Sequence, residues 1–251
     1  MAQNSAIEWT DLTWNPVVGC SIASSGCKNC YAMRMAARLQ AMGHEKYQNL
    51  TSGSKRGAVW TGAVRSHEPS LSIPYSWKKP RRVFVNSMSD LFHPDVDIDF
   101  IERIWHVMGN TPQHHYQILT KRPERMQLLL NTIAPTPLKN VWLGTSIEDR
   151  NVIDRIDFLK KTPASVRFIS FEPLIGDVGL VDLTGIHWAI VGGESGPHAR
   201  PMHQEWVEAI LDQCLDHGTA FFFKQWGGVN KKRTGRILRG QTFDEMPEYI
   251  F

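Results

Sequence analysis

The stretch Arg82-Val83-Phe84-Val85-Asn86-Ser87-Met88-Ser89-Asp90 sets the pattern of the chain. Val83, Phe84 and Val85 form a short unbroken apolar run, and Asn86, Ser87, Ser89 and Asp90 follow it at once. An unbroken run of this length reads as a strand buried on both faces, here over residues 82–86. The same pattern recurs downstream. Residues 116–120 run into Lys121 and Arg122, and 141–145 into Ser146 and Glu148. Residues 166–171 run into Glu172, 187–192 into Gly193 and Glu194, and 220–224 into Gln225. An earlier strand is expected over 14–19.

Helical stripes separate these runs. They are Ala32, Met35, Ala36, Leu39 and Met42, stopped by Gly43; Ile98, Ile101, Ile104, Trp105 and Met108; Val152, Ile153, Ile156 and Leu159; and Trp206, Val207, Ile210, Leu211, Cys214 and Leu215. Pro123 suits the first turn of a helix that begins near Arg122. Strands alternating with helices imply an α/β fold whose parallel sheet carries its helices outside. Seven candidate strands suit a partial or complete parallel (β/α) TIM-like barrel. A doubly wound open sheet is the alternative, since strand order is not written in the sequence. The 251 residues are expected to form a single domain, with an irregular insertion at about 48–80 and a basic tail at about 227–251.

Polar residues follow six successive strands, and in barrels the C-terminal strand ends carry the site. Any one such cluster is explained by helix capping; six with charges of both signs favour a shared polar site.

Composition bounds the function. Hydrophobic residues make up 42% and charged residues 21%, which excludes a disordered chain. No apolar run reaches the roughly 18–20 residues of a membrane helix, and the polar N-terminus with Glu8 is no signal peptide. A cytoplasmic protein is expected. The formal charge of +3 allows nucleic-acid binding without demanding it.

Three of the four cysteines, Cys20, Cys27 and Cys30, fall in one loop with the spacing C-x6-C-x2-C. Clustered thiols in a cytosolic chain favour metal over disulfide. Cys214 lies on the apolar face of its helix and reads as core. A zinc site wants four protein ligands, so His44 or His93 would have to complete it. On a [4Fe-4S] cluster, three thiolates instead leave one iron free for a small molecule.

Three cysteines in a loop after the first strand of a barrel resemble the radical S-adenosylmethionine (SAM) superfamily. The usual spacing there is C-x3-C-x2-C; this loop carries three more residues between Cys20 and Cys27, and Asn29 stands where an aromatic residue is common. Cys27 to Ala32, Asn86 to Asp90, Thr120-Lys121 and Ser146 to Glu148 resemble the ordered motifs of the spore photoproduct lyase family. Over nearly its whole length the chain is similar to a poorly characterised three-cysteine-motif family of phage and bacterial proteins, through Ile7 to Thr10, Phe84 to Phe92, Leu119 to Arg125, Phe168 to Leu174, Val191 to Met202 and Phe222 to Trp226.

The resemblance implies an enzyme that cleaves SAM with a [4Fe-4S] cluster and an external one-electron donor. It implies that Cys20, Cys27 and Cys30 hold the cluster. Ser87, Ser89 and Asp90 would orient the methionine amino group, Lys121 would face its carboxylate, and Ser146 and Glu148 would bind the ribose hydroxyls. Tyr31 and Tyr116 are candidate hydrogen donors. Val191-Gly192-Gly193-Glu194 resembles the superfamily's Gly-Gly-Glu motif but follows a late strand, and reads equally as a structural turn. The alternative function is a non-catalytic zinc- or iron–sulfur-binding protein of phage type. Finally, Lys231, Lys232 and Arg233, with Arg236 and Arg239, follow Phe221-Phe222-Phe223 and Trp226. Cations beside aromatic rings suit a nucleic-acid partner; a solvated tail is the plain alternative.

Overall fold

The computed structural model describes residues 3–5, 7–55 and 57–248. The chain begins with β1 (Gln3–Asn4), β2 (Leu12–Trp14), β3 (Val17–Val18) and α1 (Tyr31–Ala41). The insertion follows, with β4 (Thr51–Ser54), β5 (Gly57–Trp60) and β6 (Arg65–Ser66). Then come β7 (Arg82–Val85), α2 (Ile98–Gly109), β8 (His115–Thr120), α3 (Pro123–Ile133), β9 (Val141–Ser146), α4 (Arg155–Lys160), β10 (Val166–Phe171), β11 (Trp188–Gly192), α5 (Gln204–His217), β12 (Ala220–Gln225) and α6 (Lys231–Thr234).

The main sheet runs β1-β2-β7-β8-β9-β10-β11-β12, and every pair from β2 onward is parallel. Seven parallel strands thus follow one another in chain order, curled into a half-barrel. A doubly wound sheet would reverse its order midway, so that alternative is excluded. One direction of winding with right-handed crossovers puts α2, α3, α4 and α5 on one face. Alternate residues of each strand, such as Val83, Val85, Ile118, Leu143, Ile169, Val191 and Phe223, join that outer core.

The residues between them point into the half-barrel. Trp9, Phe84, Trp142, Phe168, Trp188 and Phe222 form an aromatic plug there. Trp188 lies at its centre, with ring centroids 5.9 Å from Trp142, 6.0 Å from Trp9 and 5.7 Å from Phe168. Its indole N–H donates to the Glu245 carbonyl at 2.9 Å, so the buried polar atom is satisfied.

Four expectations change. The first parallel strand is Leu12–Trp14; the strand expected over 14–19 breaks at Pro16, which has no N–H for a ladder. Val17–Val18 then pairs with Arg65–Ser66 of the insertion. Helix α1 buries Ala32, Met33 and Ala36, while Met35 and Met42 are exposed, because Val18 and Leu50 pack against that neighbouring stripe. The third helical stripe divides into a 3-10 turn, Arg150–Val152, and the short α4. Tyr116 and Phe221 to Phe223 are core residues, which removes Tyr116 as a hydrogen donor and the three phenylalanines as base-stacking groups.

Within the insertion, β4 and β5 pair as a hairpin. A buried bolt fastens the segment to the sheet: Trp14 Nε1 donates to the Ser70 carbonyl at 2.8 Å, and Lys46 Nζ to Ser70 Oγ at 3.1 Å. Cys214 is fully buried in α5, as expected.

Candidate functional site

The C-terminal ends of the parallel strands open onto a cavity of about 500 Å³. Cys20, Cys27 and Cys30 line it. So do Ser87, Ser89, Asp90, Lys121 and Ser146 from the ends of β7, β8 and β9. Eight of the nine site residues named from the sequence thus line one cavity. Glu148 lies behind the wall, its side chain fully buried.

The cysteine loop is gripped from four strand ends. After β7, His93 Nε2 meets Ser21 Oγ at 2.7 Å, and the Ser87 carbonyl accepts from Tyr31 Oη at 2.7 Å. After β8, Arg122 donates to Ser21 Oγ at 3.0 Å and to the Ser21 carbonyl at 3.2 Å. After β9, Glu148 accepts from Ser24 Oγ at 2.8 Å. Gly26 lies against this carboxylate so closely that a Cβ there would sit 2.4 Å from Glu148 Cγ. After β11, Glu194 accepts from Asn29 Nδ2 at 2.8 Å, and Arg200, bound to Glu194, reaches the Ser25 carbonyl at 3.0 Å.

Several of the residues expected to meet ligand are engaged within the chain. Asp90 accepts from Thr120 Oγ1, the backbone N–H groups of Phe92 and Lys121, and Arg122, all within 3.0 Å. A carboxylate has about four acceptor positions, so Asp90 has none to spare for an amino group. Glu148 holds Ser24, Lys121 Nζ and Arg155, the last at 3.1 Å. In this structure both acids hold the loop and its cations. Ser87 Oγ donates to Asn15 Oδ1 at 3.1 Å and Ser89 Oγ to the Val17 carbonyl at 2.8 Å. Each hydroxyl therefore keeps its lone pairs for an incoming donor such as an ammonium group.

His93 is buried with both ring nitrogens in use, Nδ1 accepting from the Asp95 N–H at 3.2 Å, and His44 is exposed. Among the described residues no three His, Cys, Asp or Glu side chains converge on a single ion. Cys30 sits at the head of α1, where the Ala32 and Met33 N–H groups favour its thiolate, although burial outweighs them and raises its pKa. Burial and the nearby Asp90 push the Cys20 thiol up to about 12, against the pull of Arg122, whose guanidinium lies 3.9 Å from the sulfur. Loading a metal there would release protons, and the helix terminus and Arg122 supply the positive field that thiolates need. Three buried polar atoms that line the cavity's residues lack protein partners: Trp9 Nε1, Asn86 Nδ2 and Gln225 Oε1.

Arg155, Arg200 and His93 were not singled out as loop-binding groups from sequence. Arg122 was visible only as part of a strand-end cluster, and Asn29 only as a departure from a motif. The basic tail is partly committed within the chain. Arg236 pairs with Asp244 and lies over Phe222, and Arg239 pairs with Asp212 at 2.7 Å. Arg233 is exposed; the side chains of Lys231 and Lys232 lie outside the described residues.

A cysteine-to-serine variant of spore photoproduct lyase matches with a TM-score of 0.51, over 89% of this chain and 78% of that one, at 11% identity. A variant of that enzyme with bound AdoMet and dinucleoside spore photoproduct gives 0.47, and the enzyme complexed with dinucleoside spore photoproduct gives 0.42, each at 12% identity over 86% of this chain. This chain spans 64% of the length of those two. At such identity the first of these likenesses is one of fold alone. No curated protein matches the sequence. Residues 4–247 match a family described as a protein of unknown function, DUF5131. That match takes in nearly the whole chain, from the first strand of the sheet to the end of the described residues, and the protein belongs to the DUF5131 family.

Proposed function

We propose that this protein is a radical SAM enzyme. The observation that carries the reading is the cysteine loop itself: three thiols on one cavity, at the C-terminal mouth of a parallel half-barrel, fixed from four strand ends. A loop that only capped a helix would not need four independent anchors. Cys20, Cys27 and Cys30 are the residues that would hold a [4Fe-4S] cluster. With SAM bound, such a cluster supplies one-electron cleavage of the sulfonium and a carbon radical that takes a hydrogen atom from a substrate.

The chain's own residues divide the remaining work. Ser87 and Ser89 offer lone pairs to the methionine amino group, since both hydroxyls already donate inward. Lys121, held by Glu148, presents a fixed cation to the methionine carboxylate. Ser146 lines the same wall on the ribose side. Asp90 and Glu148 act one step back, placing Arg122 and Lys121. The aromatic plug fills the floor of the half-barrel and keeps water out from below. Tyr31 stands at that mouth with its hydroxyl on the Ser87 carbonyl, the remaining candidate for hydrogen transfer.

The zinc-binding alternative lacks a fourth ligand, since His93 has both ring nitrogens engaged and His44 is exposed. The direct test is SAM turnover by the anaerobically reconstituted protein under a one-electron reductant. Formation of methionine and 5′-deoxyadenosine is expected. A protein loaded with iron and sulfide that releases neither contradicts the reading.

A further inference from the structure

The fold withdraws Glu148 from the ribose. Its side chain is fully buried behind the cavity wall and already meets Ser24, Lys121 and Arg155. A carboxylate that receives a pair of hydroxyls must be reachable and must have acceptor positions left. Glu172, one strand over at the end of β10, meets both conditions. It lines the cavity with its side chain 16% exposed. Its Oε1 lies 3.0 Å from Lys224 Nζ, and its Oε2 accepts from Ser170 Oγ at 3.4 Å. Of about four acceptor positions, two remain.

The sheet makes room for this side chain. β11 lies between β10 and β12, and its last residue is Gly192. A Cβ at Gly192 would sit 2.5 Å from Glu172 Oε1, so only glycine lets Glu172 lie across the strand end toward Lys224. Glu172 shares the cavity lining with Cys30 and Tyr31 at the end of the cysteine loop. Beside the pair, Gln225 is 7% exposed, gives its amide N–H to Ser195 Oγ at 2.9 Å, and leaves Oε1 without a protein partner.

We propose that Glu172 is the carboxylate that accepts the vicinal hydroxyls of the SAM ribose, held in place by Lys224, while Gln225 Oε1 accepts one further N–H or O–H of the same ligand. The inference rests on the radical SAM reading. It adds contacts at the ends of β10 and β12 to the ribose side where Ser146 of β9 stands, and leaves Glu148 as a positioning residue for the loop.

The test is calorimetric titration of the anaerobically reconstituted protein with SAM and with its 2′-deoxy and 3′-deoxy analogues. Wild-type protein should bind each analogue about ten- to a hundredfold more weakly than SAM, the size of one hydrogen bond to a charged group. Glu172→Gln should lose most of that discrimination. The wild-type comparison needs no variant, so folding defects cannot obscure it. Equal wild-type affinity for all three ligands overturns the inference and leaves the radical SAM reading standing. So does discrimination that survives in Glu172→Gln and disappears in Glu148→Gln. Cluster-loaded wild-type protein that does not bind SAM overturns both.

Discussion

Glu194 shows how a single carboxylate can be read two ways. Its motif suggests a ligand contact, yet it faces Asn29 and Arg200. Burial works to raise its pKa, but hydrogen bonds from Arg200 and Asn29 outweigh that and hold the carboxyl below its ordinary 4.5. A depressed carboxylate pKa stabilises the fold above the unfolded value, and this contribution is lost as pH falls through the lower folded value. Wild-type protein should therefore lose stability steadily below pH 4.5, and Glu194→Gln should show a shallower acid limb in denaturation curves taken over that window. Superimposable curves would mean the clamp adds nothing. Gly26 offers a second test, independent of charge. A Cβ there meets Glu148 at Cγ and Oε1, both fixed by burial. Gly26→Ala should cost about 1–3 kcal/mol in chemical denaturation, as overpacking does. No loss would show that the loop is free to move away. At this scale the sequence exposed the chemistry of the residues but not their partners. Ser24 and Glu148 are 124 positions apart, and Asn29 and Glu194 are 165 apart, so no local pattern could link them.

Strands were the most legible elements. Their apolar runs are continuous because both faces are buried, and β8, β9, β10, β11 and β12 begin or end within a residue of the expected places. Where local rules failed, a neighbour far away in sequence decided. Pro16 ended the first strand and handed Val17 and Val18 to the insertion, and the hairpin region chose which side of α1 is buried. The inward-facing residues of the strands looked the same as the outward-facing ones in sequence, so the aromatic plug was hidden. It is now testable. Trp188 touches Trp9, Trp142, Phe168 and Phe222 and is fully buried. Trp188→Ala should cost about 3–5 kcal/mol in equilibrium unfolding, against about half that range or less for a comparable truncation at the exposed Leu128. A loss under 1 kcal/mol at Trp188 would show a plug that relaxes freely.

Across the whole molecule, charge and shape meet at the mouth of the half-barrel. No helix among the described residues is long and apolar enough to cross a membrane. The substrate class expected from the basic tail, a nucleic acid, now rests on fewer groups, since Arg236 and Arg239 are paired within the chain. If Lys231, Lys232 and Arg233 meet phosphates, affinity for single- or double-stranded DNA or for RNA should fall steeply with salt, and neutralising all three should reduce the slope by about one unit per lost contact. No binding at low salt would leave a small molecule or protein as substrate. Strand order, and hence the half-barrel, was left open by the sequence because it fixes no register between distant strands; the cysteine loop was legible because its three cysteines are neighbours in the chain. The claim on which everything else depends is that this loop holds an iron–sulfur cluster. Iron and sulfide content with low-temperature electron paramagnetic resonance, measured on anaerobically reconstituted wild-type protein and on Cys20→Ala, Cys27→Ala, Cys30→Ala and Cys214→Ala, tests it most directly. The account predicts four iron and four sulfide per chain with a reduced-cluster signal in the wild type and in Cys214→Ala, and loss of both in each of the other three. Full iron content in Cys27→Ala would contradict it.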